Sequence, residues 1–444
     1  MRKKIEKIVL EPFTRFFEME SSSGIILFFA ALIAIFWANS PMSATYDGLW
    51  QHNIGFEIED IFQISKPIFL WINDGLMAIF FFLIGLEIKR ELMVGELSTF
   101  RKAAFPFFAA IGGIVFPIGV FFFMNDNPEA ISGWGIPMAT DIAFSLAILK
   151  LLGPRVPVGL KIFLTAFAII DDLAAVMVIA IFYSSGIKWM LILISLALLV
   201  MLFMLSSVKF YSKYIFFIIG LVIWFLFLKS GIHPTIAGVL IAFTIPVRRG
   251  AGLGTYVEDT RDMLERLRPK GEYTYGPNQL LTPRQMNILH HIDSDTEKIQ
   301  SPLQLLEHKL HGWVAFVILP IFAFSNAGVT VGGGAELDIA LALTIGVSLI
   351  LGKVLGITLF SILGVKLRLA DLPENADYLY ILGIGFLAGI GFTMSIFIAN
   401  LAYMDPVLVA SAKVGILGAS FLAGLLGYIV LWARSRKTVK YVSD

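Results

Sequence analysis

Runs of about 20 predominantly apolar residues recur along this chain, each long enough as a helix to cross the ~30 Å hydrocarbon core of a bilayer. Lipid offers no hydrogen bonds, so a backbone at that depth must satisfy its own N–H and C=O groups, and helices do so within each segment. That predicts an all-α integral membrane protein. Twelve candidate spans are centred near Phe28, Phe80, Ile114, Phe144, Ile170, Leu196, Ile219, Val239, Leu319, Leu349, Gly389 and Leu422. Composition agrees: 57% of the 444 residues are hydrophobic and only 15% charged, where a soluble domain carries about 25%. A net charge of +1 gives no sign of a nucleic-acid partner, and the absence of cysteine excludes disulfides, thiolate zinc sites and cysteine nucleophiles.

Charge placement is an independent check. With both termini in the cytoplasm and a crossing at each span, all but five of the 34 Lys and Arg fall on the cytoplasmic side, the bias that sets orientation in membranes. Lys66, Lys188, Lys229 and Lys413 lie in or beside outside loops, and Lys353 lies inside a span. The basic start, MRKKIEKIVLEPF, reads as a mature cytoplasmic terminus and not a secretory signal. The chain divides into spans one to eight (residues 1–247), a charged cytoplasmic loop (248–310) and spans nine to twelve (311–444). Within the loop, Thr260–Arg268 and Thr296–Lys309 are expected to form short amphipathic helices. Asn53–Ser65 partly alternates apolar and polar residues, a weak signal for an outside hairpin.

Charges are expensive at the bilayer centre, at least ~2.5 kcal/mol each, so ionisable residues inside spans point to function. Asp171 and Asp172 interrupt the apolar run Ile162–Tyr183 near its middle. Two adjacent carboxylates there cannot both stay ionised without a cation or a positive partner, which makes the pair a place where proton and metal cation compete. The bland alternative is a structural pair capped by hydroxyls or amides. Asp141 follows Thr140 in GWGIPMATDIAFSLAIL, where Pro137 predicts an interrupted helix. It either caps the second half-helix or coordinates an ion directly. Lys353 needs an acidic partner unless it snorkels to an interface. Around Gly383, Gly385, Gly389 and Gly391 the eleventh span is either closely packed or broken like the fourth. Two broken helices in matching places of two halves point to a transporter built from inverted repeats.

At the cytoplasmic edge Glu87, Arg90 and Glu91 close the second span, and Glu307, His308 and His311 open the ninth. They are interfacial anchors or a pH-responsive cluster, since imidazoles titrate near neutrality. The string QLLEH at Gln304–His308 lacks the first histidine of an inverted zinc-protease motif, so zinc is discounted.

The segments IIDDLAAV, PMATDIAFSLAIL, GLEIKREL, GIGFTMSIFIANLAY and LEHKLHGWVAFVILPIFAFSNAGV occur in the order and places that make this chain resemble the NhaA sodium/proton antiporters, from about Ile25 to Trp432. The resemblance implies twelve helices with cytoplasmic termini in a bacterial inner membrane. It also implies two inverted three-helix repeats, spans three to five and ten to twelve, whose fourth and eleventh spans are unwound and cross. It further implies that Asp172 coordinates sodium or lithium, that Asp171 pairs with Lys353, and that Asp141 and Thr140 lie beside the crossing. Glu87, Arg90, Glu91, Glu307, His308 and His311 match positions of pH regulation, and homodimers held partly by an outside hairpin are implied as well. The chain departs from the family pattern in a longer loop, Arg248–Gln304, and in Val354, where a proline is expected.

These readings converge on a secondary transporter, not an enzyme, exchanging cytoplasmic sodium or lithium for external protons by alternating access, electrogenic and pH-regulated. It needs no cofactor, and its sodium ligands are Asp172 and Asp171, carboxylates suited to a hard cation. A cation channel and an intramembrane aspartyl protease are the alternatives. The protease would need its two Asp on facing helices, whereas these are adjacent on one.

Overall fold

The computed structural model describes residues 21–58, 62–184, 186–208, 210–247, 253–267, 281–299, 301–330 and 336–442. The basic N-terminal segment expected to start in the cytoplasm lies outside the described residues. The helices are α1 (Ser21–Ala38), α2 (Ser43–Gln51), α3 (Ile68–Val94), α4 (Phe100–Met124), α5 (Ile142–Leu151), α6 (Val158–Phe182), α7 (Trp189–Ser207), α8 (Lys213–Ser230) and α9 (Thr235–Thr244). They continue with α10 (Leu253–Leu267), α11 (Pro283–Ile299), α12 (Pro302–Asn326), α13 (Ile339–Lys366), α14 (Tyr378–Ala388), α15 (Phe392–Ala402) and α16 (Pro406–Val442). A 3₁₀ helix, Pro128–Met138, precedes α5.

Among the described residues eight helices are long and apolar enough to cross a membrane, and eleven spans result if each of three bent pairs counts as one. The candidate near Val239 falls short: α9 has ten residues, about 15 Å of helix against the ~30 Å core. The 3₁₀ helix and α5 meet at 46°, as do α14 and α15, whereas α1 and α2 turn by 114°. Both expected interruptions are therefore present, at Ala139–Asp141 and at Gly389–Gly391. Packing contributes to the eleventh span as well, since a Cβ on Gly383 would meet the Leu431 side chain at 2.6 Å and one on Gly385 the Val354 backbone at 3.2 Å.

The hairpin is real, so the fold is helical with one small β element. Strands β1 (Asn53–Ile58) and β2 (Phe62–Pro67) pair antiparallel, Asn53 opposite Pro67 and Ile58 opposite Phe62. The Trp71 indole donates to Ile54 O at 2.9 Å and ties the ribbon to α3. The first loop helix is longer than Thr260–Arg268, since α10 begins at Leu253. The Thr296–Lys309 helix is corrected: α11 ends at Ile299 and Pro302 opens α12, because a proline needs no partner for its missing N–H at the first turn.

Inside the bundle α4 and α13 approach so closely that a Cβ on Gly112 or Gly356 would run into the other's carbonyl. Three spans carry a single widened π turn, at Trp71–Leu76, Val314–Ile318 and Ser348–Gly352. Such turns often mark functional positions, and the last ends directly before Lys353. Helix α13 then runs unbroken through Val354 to Lys366.

Candidate functional site

The two broken spans expose what helix ends always expose: first-turn N–H groups and last-turn carbonyls without intrahelical partners. Here each span satisfies the other. At the end of α14 the carbonyls of Leu387, Ala388 and Ile390 accept from Ser145 Oγ at 2.7 Å, Thr140 Oγ1 at 2.9 Å and the Asp141 N–H at 2.6 Å. In return Ser395 Oγ donates to Ile136 O at 2.8 Å, while a third span contributes as well: Lys353 Nζ of α13 donates to Met138 O, at the end of the 3₁₀ helix. Both helix beginnings converge on one carboxylate. Asp141 Oδ1 accepts from Phe144 N at 3.0 Å, while Oδ2 accepts from Thr393 N at 3.1 Å and Thr393 Oγ1 at 2.5 Å. A negative group between two partly positive helix N-termini is electrostatically favoured. Of the two readings of Asp141, the cap is what the geometry contains, and it caps both halves.

Helix α6 crosses beside this knot and carries the carboxylate pair at its middle. Asp171 and Lys353 are both wholly buried, with Nζ 3.0 and 2.8 Å from the two carboxylate oxygens. The Phe167 ring, one turn back on α6, lies 5.5 Å from Nζ. Snorkelling is therefore excluded for this lysine. Asp172 differs from its neighbour. It is 2% exposed, and its Oδ1 is buried with no hydrogen-bond partner among the described residues. Asp171, Glu87, Asp141 and Lys353 all act on it electrostatically. The three mid-span acids thus hold three states: Asp141 saturated by helix ends, Asp171 bound to a lysine, Asp172 with an unsatisfied oxygen. A buried acceptor without a donor costs free energy, and a proton or a cation is what would relieve it.

The edge cluster is also brought together. Arg90 bridges Glu91 at 2.8 Å and Glu307 at 2.7 Å, joining α3 to α12. His311 Nδ1 stands 4.0 Å from Glu87 Oε1, and His308 acts electrostatically on Glu307. All eleven residues singled out in the sequence therefore fall into two groups, one at the crossing and one at the edge.

Several participants escaped the sequence reading. Thr393, Ser145 and Ser395 are ordinary hydroxyls until the break at Gly389–Gly391 is known. Lys89 donates to Phe243 O at 2.7 Å and Ile245 O at 2.5 Å, closing the end of the short α9. At the hairpin end of α3, Asp74 pairs with Lys66 at 2.9 Å and stands 3.7 Å from His233.

The sequence profile of the family described as Na+/H+ antiporter 1 matches residues 14–431. An antiporter of Oleidesulfovibrio alaskensis described as Na(+)/H(+) antiporter NhaA is 46% identical over 430 residues, covering 96% of this chain and 94% of that protein. One so described from Bacteroides thetaiotaomicron is 46% identical over 431 residues, 95% and 97% of the two chains. Another from Helicobacter acinonychis is 42% identical over 439 residues, 98% of each.

Proposed function

The chain belongs to the Na+/H+ antiporter 1 family, and on that premise we propose that it exchanges cytoplasmic sodium or lithium for external protons at Asp172 and Asp171. It is a multi-pass membrane transporter, not an enzyme, and sodium and protons are its substrates. The observation that carries the site assignment is the contrast between neighbours: Asp171 neutralised by Lys353, and Asp172 left with an unpartnered buried oxygen. An ionised Asp172 supplies a hard oxygen ligand to sodium, and a protonated one has no charge to offer it. Cation and proton therefore exclude each other at one group.

Sodium bound at Asp172 draws Asp171 toward itself and away from Lys353. Asp172 and the Asp171–Lys353 pair between them can hold two protons against one sodium, a charge difference that makes the exchange electrogenic. The two half-helix pairs, joined through Asp141, Thr140 and Ser395, form the unit that tilts to present the site to one side and then the other. The arrangement favours twelve spans, with α9 as a short one, and two inverted repeats around the crossing, spans three to five and ten to twelve. In this reading the termini and the loop 248–310 lie in the cytoplasm of a bacterial cell, in its inner membrane, and two copies associate partly through the hairpins. The Glu87–Arg90–Glu91–Glu307–His308–His311 cluster sets the pH at which transport begins.

The test is a dye-based pH-gradient assay in everted vesicles, with sodium, lithium and potassium added in turn. Sodium and lithium should collapse the gradient and potassium should not. No response to sodium, or an equal response to potassium, overturns the reading.

A further inference from the structure

Beyond the carboxylate site, a second buried polar group links three spans. Asn400 Nδ2 donates to Asn326 Oδ1 at 2.6 Å, and Asn326 Nδ2 donates to Asn73 Oδ1 at 3.2 Å. Asn326 is wholly buried and Asn73 is 6% exposed. The three carboxamides come from α15, α12 and α3, each near the end of its helix. Those ends share one face of the molecule with the hairpin: Asp74 follows Asn73 and pairs with Lys66 of β2, and His233 connects Asp74 to the end of α8.

Helical spacing places a second layer directly beneath. Met77 and Phe81 are four residues apart on α3 inward of the π turn that holds Asn73, Phe322 and Asn326 are four apart on α12, and Phe397 and Asn400 are three apart on α15. Phe397 is the hub of this layer. Its ring centroid lies 5.6 Å from Phe81, 6.2 Å from Phe322 and 5.3 Å from His233. Going inward along α15, Thr393 on the Asp141 carboxylate is seven residues from Asn400, about 10 Å. The order from the surface inward is thus amide chain, aromatic layer, then crossing.

An apolar layer alone would close this route but would gain nothing from water on opening. Carboxamides behave differently, because each amide–amide bond can be exchanged for bonds to water at small net cost. Asn73 Nδ2 is already buried without a partner among the described residues, so the closed chain is incompletely satisfied.

We propose that the Asn73–Asn326–Asn400 chain is the outer gate of the exchange reaction, parting to connect the carboxylate site with the hairpin face and re-forming over the Phe397 layer. The proposal rests on the alternating-access reading above. It makes Asn326 and Asn400 positioning residues that set outer access, not ligands of the transported ion.

The natural absence of cysteine provides a clean test. Val176, one turn outward from Asp172 on α6, is replaced by cysteine, and its reaction with a membrane-impermeant thiol reagent is timed from each side of oriented vesicles. Asn400→Ser, which loses the one link from Asn400 to Asn326, should raise the rate from the outside by about tenfold, the effect of one net hydrogen bond, and Asn326→Ala, which loses both links of the chain, should raise it by at least as much. Labelling from the inside should not rise. Should Asn326→Ala fail to fold, the half-buried Asn400→Ser still decides. Unchanged outside labelling in Asn400→Ser, with sodium still altering that labelling in Val176→Cys alone, overturns the gate and leaves alternating access standing. If sodium does not alter outside labelling of Val176→Cys at all, alternating access fails and the gate with it.

Discussion

Lys353 Nζ touches both oxygens of Asp171, at 2.8 and 3.0 Å, and in the same position donates to the carbonyl of Met138 at the end of the 3₁₀ helix. One ammonium group therefore neutralises a buried acid and caps a broken span. Removing one partner of a buried pair strands the other, at a cost of ~3–5 kcal/mol. Lys353→Ala should lower the detergent melting temperature strongly, and adding Asp171→Asn should recover much of the loss. Recovery should be incomplete, because the Met138 carbonyl still lacks its cation. A double variant no more stable than Lys353→Ala would mean that the helix-end contact alone matters.

Asp141 holds two helix beginnings at once, through Phe144 N and Thr393 N. Asp141→Ala should cost about 1–2 kcal/mol for each lost cap, whereas Asp141→Asn, which keeps an acceptor oxygen, should be milder. Melting temperatures of the two variants compare them directly. Equal losses would show that the charge and not the hydrogen bonds holds the crossing.

At the edge, Glu307→Gln weakens the charge-assisted bond to Arg90 that ties α12 to α3. The dependence of exchange on pH should move along the pH axis while the maximal rate stays within about twofold of wild type, and His308→Ala should do likewise. A uniform fall in rate at every pH would assign the cluster a structural role.

Lys89 closes α9 by donating to two carbonyls at its end. Lys89→Met should destabilise the fold by about 1–3 kcal/mol, the cost of leaving buried carbonyls without donors. Amide exchange measured in detergent should rise first in Ile241–Ile245. Unaltered protection there would contradict this role.

Much of the fold was legible because lipid imposes a simple rule, that a span must be apolar and about 20 residues long. Asp171, Asp172 and Lys353 stood out by breaking it, and Pro137 announced the first interruption, while the glycines at 389 and 391 left the second open between a break and close packing. What each acid does was not legible from spacing and hydropathy, and the pairing of Asp171 with Lys353 was expected only through the family resemblance. The saturation of Asp141 depends on Thr393, 252 residues away, and the neutralisation of Asp171 on Lys353, 182 residues away. No local pattern encodes such pairings. The short α9 shows a related limit, since hydropathy records apolar length but not where Pro234 begins the helix and where Lys89 ends it. The three asparagines at 73, 326 and 400 were invisible for the same reason, as single polar residues near span ends look like ordinary interface positions.

The exclusion of proton by sodium is proposed to take place at Asp172. Its most direct test is sodium-driven proton movement in vesicles carrying Asp172→Asn, a neutral isostere that removes the ion ligand and disturbs packing little. Asp172→Asn should insert normally, melt at or above wild type because an unsatisfied buried oxygen has lost its charge, and show no exchange with sodium or lithium at any pH. Exchange of wild-type size in well-folded Asp172→Asn would contradict that assignment.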